Sequence, residues 1–116
     1  MLKREYSLKK RYQFNYTYSH GQTQGTKNLL ICYTPSNNKC IKVGLSVTKK
    51  IGGAVTRNRI KRLLRVAITP HLLHLKNNYN LIIVARPSIV DLSLQDIESE
   101  LAYCINKAGL KREEGF

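Results

Sequence analysis

Arg57-Asn58-Arg59-Ile60-Lys61-Arg62-Leu63-Leu64-Arg65 places five cations in nine residues, with aliphatic side chains between them. Ile60, Leu63, Leu64, Ala67 and Ile68 fall at i, i+3, i+4, i+7 and i+8, the recurrence of one helix face. At about 100° per residue this stripe covers an arc of roughly 140°. Asn58, Lys61, Arg62 and Arg65 fall outside that arc, and Arg57 opens the stretch near its edge. A disordered basic tail would lack that division. The stretch predicts a helix with one face for a core and one dense in positive charge, and such a face suits a polyanion.

Working outward, Lys49-Lys50-Ile51-Gly52-Gly53-Ala54-Val55 is a basic, glycine-containing loop into this helix. Paired glycines expose backbone N–H groups and let a phosphate approach closely. The helix is expected to begin near Ala54 and to be interrupted at Pro70, with a further turn through Leu72 to Leu75 before Asn77 and Asn78. Residues 28 to 34 form a short apolar run typical of a buried strand. Pro35-Ser36-Asn37-Asn38 reads as a turn, and residues 40 to 47 alternate as a second strand, so the two resemble a hairpin. Residues 80 to 86 are the clearest strand, stopped by Pro87. Ser93-Leu94-Gln95-Asp96 has the form of a capping box ahead of Leu94, Ile97, Leu101 and Ile105, with Gly109 as the closing cap. That gives a last helix of about residues 93 to 108. The front of the chain reads two ways. Tyr12, Phe14, Tyr16 and Tyr18 recur every second residue, as in a strand, and this period is slightly favoured. Phe14 and Tyr18 also stand at i, i+4, which makes a helix capped by Gly21.

Composition narrows the function. A chain of 116 residues fits one domain with one modest core, and 42% hydrophobic residues are enough to fold it. The net charge is +13, unevenly spread. Residues 1 to 90 hold 17 Lys or Arg against one acid, Glu5, whereas residues 91 to 116 hold three against six. The first segment would repel itself unless an anion lay against it. Nucleic acid is the leading partner and an anionic membrane the second; the membrane is disfavoured because the helix backs onto an aliphatic stripe without Trp or Phe anchors. No apolar run approaches a membrane span, and no secretory signal is expected. Cys32, Cys40 and Cys104 form no CxxC pair, so they are read as reduced thiols of a cytoplasmic protein, two of them in strands.

The same asymmetry limits catalysis. Metal-assisted phosphodiester cleavage needs clustered carboxylates. Glu5 stands alone, and Asp91, Asp96, Glu98, Glu100, Glu113 and Glu114 read as a solvated helix face and tail. His71 and His74 have metal-compatible spacing without a third ligand, and are read with His20 as exposed or capping side chains. No catalytic residue and no metal site is expected in the protein; the reactive groups would lie on a partner.

The long string Gly44-Leu45-Ser46-Val47-Thr48-Lys49-Lys50-Ile51-Gly52-Gly53-Ala54-Val55-Thr56, running into Arg57-Asn58-Arg59 and on to Arg65, resembles the signature of the bacterial ribonuclease P protein family. Leu8-Lys9-Lys10, Phe14, Tyr18, His20-Gly21, Tyr33 and Leu81 to Arg86 extend the resemblance over nearly the whole chain. It implies a single RNA-binding domain, residues 1 to 116, with an α/β fold. This is an α+β sandwich of the ribosomal-protein-S5-domain-2-like kind, in the order helix, three strands, helix, strand, helix. The front segment would then be helical. The resemblance further implies a noncatalytic subunit that assists a catalytic RNA in removing the 5′ leader from precursor tRNA, with Mg2+ held mainly by the RNA. Lys49, Lys50, Arg57, Asn58, Arg59 and Arg62 would meet the catalytic RNA. Phe14, Tyr18, Tyr33, Lys61 and Arg65 would line a cleft for the single-stranded leader. Tyr18 stands where phenylalanine is commoner in the family, and Pro70 departs from its usual charged helix end. The alternatives are a ribosomal protein, which shares size, basicity and topology but lacks the long Arg-Asn-Arg string, and a protein-only nuclease, which lacks its carboxylates.

Overall fold

The computed structural model describes residues 6–37 and 39–111, so Glu5, Asn38, Glu113 and Glu114 lie outside it. In chain order the elements are α1 (Arg11–His20), β1 (Gln22–Gly25), β2 (Leu29–Pro35), β3 (Lys42–Ser46), α2 (Ala54–Ile68), β4 (Tyr79–Ala85) and α3 (Leu94–Ala108). Short 3-10 helices follow α2 (Thr69–His74) and β4 (Pro87–Asp91). This is the α+β order that the resemblance implies, and the front segment is helical. Its alternating aromatics therefore spread around α1 instead of lining one side of a strand.

The strands form one mixed sheet in the order β1-β2-β4-β3. β2 pairs antiparallel with both β1 and β4, and β3 runs parallel to β4. The expected hairpin between the second and third strands is therefore absent: β4 lies between them. Turn chemistry at Pro35 to Asn37 signalled a reversal, but not its partner. β1, with its polar sequence Gln-Thr-Gln-Gly, has no apolar period of its own and is held through register with β2.

The two faces of the sheet have different covers. Leu29, Ile31, Tyr33, Val43, Leu81, Ile83 and Ala85 share one core cluster with Ile60, Leu64, Ala67 and Ile68 of α2 and Ile97, Leu101, Cys104 and Ile105 of α3. Cys32 and Ile82 project to the other face, where Leu8 and Phe14 join them. The apolar stripe read from α2 is buried as expected. Side chains of this size contribute about 1.5–3 kcal/mol each when fully buried.

Local chemistry sets the element ends. At α3, Ser93 Oγ accepts from the Asp96 amide at 3.1 Å, and Gly109 closes the helix at φ 70°. Gly21 closes α1 in an extended conformation; a side chain there would press on the Tyr33 carbonyl, 2.8 Å from an added Cβ. Two sequence readings need correction. Only Cys32 sits in a strand; Cys40 precedes β3 and Cys104 is in α3. Glu100 is no solvated carboxylate: Thr26 Oγ1 donates to it at 2.5 Å and Asn28 Nδ2 at 2.7 Å, tying α3 to the β1–β2 turn.

Candidate RNA-binding cleft

β3 is an edge strand, and an edge presents unpaired backbone groups. The residues before α1 cover part of it: Ser7 bridges Val43, and the Leu8 amide donates to the Val43 carbonyl at 2.9 Å. That contact anchors the start of α1 on one side of the edge, while α2 rises on the other. Between them lies an open cleft of about 250 Å³. Phe14 enters from α1, Lys61 and Arg65 from α2, Lys9 from the leading segment, and Val43, Gly44 and Leu45 form the floor.

Gly44 determines how Phe14 sits. A Cβ there would overlap the tip of the Phe14 ring, so only glycine lets the ring lie on the strand. Phe14 is half-buried, and Tyr18, exposed one turn further along α1, tilts against it with ring centroids 6.4 Å apart. Lys61 and Arg65, four residues apart, share one flank of α2. All three cations lining the cleft, Lys9, Lys61 and Arg65, come without a lining carboxylate. The arrangement offers an aromatic face beside positive charge, which suits a base and its phosphate.

The other residues assigned to RNA divide. Arg62 and Asn58 are exposed on the outer face of α2. Arg57 is half-buried, its Nε covered with no hydrogen-bond partner. Arg59 donates from Nη2 to the Val90 carbonyl at 3.1 Å, so it also helps hold the 3-10 turn after β4. Lys49 and Lys50 are exposed in the turn leading to α2. Gly52, at φ 151°, lies where side chains are strained, and Gly53 is the N-cap of α2 with open space around it.

Tyr33 does not line this cleft. The β2 pleat sends it to the face of Ile31 and Leu29, and β4 separates β2 from the β3 edge. It lies instead beside a smaller hollow of about 110 Å³ with His20, Gln22, Pro35 and Tyr79. Burial, followed by Tyr79 and Cys32, raises its phenol pKa. Sequence reading identified Phe14, Lys61 and Arg65 but not Lys9 or the floor at Gly44. A glycine at the centre of a strand was the available signal for the floor.

Comparison with known proteins shows the family. The family model described as Ribonuclease P matches residues 2–109. The chain belongs to the ribonuclease P protein family. It is 36% identical over 110 residues to the ribonuclease P protein component of Oceanobacillus iheyensis, covering 94% of this chain and 91% of that one. It is 35% identical over 112 residues to that of Streptococcus thermophilus, covering 97% and 100%. A solved structure of a Staphylococcus aureus RNase P protein mutant superposes with a TM-score of 0.84 at 27% identity, covering 90% of this chain and 89% of that one. Membership in the ribonuclease P protein family makes this chain a component of the tRNA-processing ribonucleoprotein, in partnership with a ribonuclease P RNA.

Beyond the cleft, among the described residues no three His, Cys, Asp or Glu side chains cluster as a metal site. His71 and His74 lie in the 3-10 helix after α2. No helix among the described residues is long and apolar enough to cross a membrane.

Proposed function

We propose that this chain is a noncatalytic, cytoplasmic RNA-binding subunit of ribonuclease P, folded as a single domain, that holds the 5′ leader of precursor tRNA against the catalytic RNA. The observation that carries the reading is the cleft at the β3 edge, with Phe14 on Gly44 facing Lys61 and Arg65. A leader base stacks on Phe14, with Tyr18 extending the aromatic surface. Lys9, Lys61 and Arg65 meet the phosphates on either side. Stacking contributes about 1–3 kcal/mol per base and tolerates any sequence. Arg57, Asn58, Arg59 and Arg62 of α2, with Lys49 and Lys50, meet the catalytic RNA. Each phosphate neutralised there releases counterions and replaces part of the metal ions the RNA otherwise needs.

The chemistry belongs to the RNA. Mg2+ bound mainly by that RNA supplies the metal for phosphodiester hydrolysis at the leader–tRNA junction. This chain's described donors do not fit that ion, since they form no acidic cluster. The protein's work is to bind and orient. Cleavage of precursor tRNA by the cognate RNA at low magnesium, with and without the protein, tests the reading: strong stimulation is expected, and none would overturn it. Cleavage by the purified protein freed of RNA would favour a protein-only nuclease.

A further inference from the structure

The aromatics of α1 do not all serve the cleft. At about 100° per residue, Tyr12, Tyr16 and His20 lie on the flank of α1 roughly opposite Phe14 and Tyr18. Tyr12 is 65% exposed and Tyr16 51%, so neither ring belongs to the core. The Tyr16 and His20 rings are already stacked, with centroids 4.2 Å apart and planes at 20°. A hydrogen bond of 3.2 Å between His20 Nδ1 and the Tyr16 carbonyl holds the imidazole in that stack. Beside Tyr16 opens a polar depression of about 450 Å³, lined also by Pro35, Asn37 and Asn78.

This flank begins one residue from the lining of the cleft. Lys9 lines the cleft, and Lys10, the next residue, places its ammonium 6.0 Å from the centre of the Tyr12 ring. From there Tyr12, Tyr16 and His20 follow at steps of four residues, about 6 Å of helix rise each. Residues 6 to 90 contain no Asp or Glu, so α1 itself sets no carboxylate against a polyanion. Ring faces for bases, cations at the entry and polar groups at the far end are the components of a single-strand track.

We propose that the outer flank of α1 is a second leader-binding surface, on which the part of a long 5′ leader leaving the cleft at Lys9 stacks along Tyr12, Tyr16 and His20. It rests on the reading of the cleft as the leader site. A short leader would fill the cleft alone; a longer one would also engage the flank.

The test measures affinity of the assembled ribonucleoprotein for precursor tRNAs with leaders of graded length. Long leaders should bind more tightly than short ones. Tyr16→Ala, alone or with Tyr12→Ala, should remove about five- to tenfold of that advantage. Short-leader affinity should be unchanged, and Tyr16→Phe, which keeps the ring, should restore the advantage. Tyr103→Ala, an equally exposed tyrosine on α3, should have no effect. A length advantage that survives Tyr16→Ala, or an equal loss at every leader length, would overturn the proposal. Failure of Phe14→Ala to weaken short-leader binding would instead overturn the cleft reading on which it rests.

Discussion

Gly44 and Phe14 form one unit. The ring lies where a β-carbon would be, so the strand glycine sets the position of the aromatic face on which the cleft reading depends. Gly44→Ala is therefore expected to behave like Phe14→Ala. It should displace the ring, whose tip can move, and cost little folding stability. Preference for precursor over mature tRNA should fall several-fold in both variants, measured with the assembled ribonucleoprotein. If Gly44→Ala binds precursor normally while Phe14→Ala does not, the packing account of the cleft floor is wrong. His71 gives a second prediction at this scale. Burial first, then Lys111 and His74, lower its pKa below the ordinary 6.5, against an opposing effect of Glu98. The unfolded chain therefore binds more protons than the folded one as pH falls through 6.5, and stability declines on the acid side. His71→Gln should flatten that decline in denaturant midpoints measured between pH 7 and about pH 5. An unchanged slope would show that His71 does not titrate as described. Phe14, Lys61 and Arg65 were assigned to one cleft through the family resemblance, and the structure brings the three side chains together. Tyr33, assigned with them, lines a separate hollow, because a strand residue's face depends on register, which its own sequence does not state.

At the scale of elements, the approach to α2 depends on one backbone angle. Gly52 at φ 151° has no low-energy counterpart with a side chain. Gly52→Ala should destabilise the fold by about 1–3 kcal/mol in chemical denaturation. Gly53 is an ordinary N-cap in open space, so Gly53→Ser should be neutral or slightly stabilising. Equal losses at both positions would contradict this division. Glu100 connects α3 to the β1–β2 turn through Thr26 and Asn28, and Ser88 Oγ donates to Asn28 Oδ1 at 2.6 Å, extending the network to the segment after β4. Glu100→Ala should cost about 1.5–3 kcal/mol, because buried Asn28 loses an ionised acceptor. A loss below about 0.5 kcal/mol in the same denaturation measurement would show the network contributes little. α3 was readable almost to the residue because period, capping box and terminal glycine agree, and α2 because its apolar period runs between Gly53 and Pro70. β1 was not, since a short polar strand has no period and exists through its neighbour. The β2–β3 pairing failed for a related reason: alternation identifies a strand, whereas its neighbour is chosen by what the rest of the sheet buries.

Across the whole molecule, the charge asymmetry has a structural counterpart. The acids of the described chain lie in α3 and the turn before it, on the far side of the core from α1, while the cations concentrate on α2, the loop before it and the segment leading to α1. Association with the ribonuclease P RNA should accordingly weaken steeply with salt. Arg62→Ala should lower the log–log salt slope by about 0.7–0.9 per lost phosphate contact. An unchanged slope would place Arg62 outside the RNA interface. The central claim is that the Phe14–Lys61–Arg65 cleft grips the leader, and its most direct test is the ratio of precursor to mature tRNA affinity in the assembled ribonucleoprotein. The wild-type protein should give a ratio well above one. Phe14→Ala and Lys61→Ala should bring it towards one while leaving mature tRNA affinity nearly unchanged. A ratio unaffected by both substitutions, or equal losses for precursor and mature tRNA, would contradict the account.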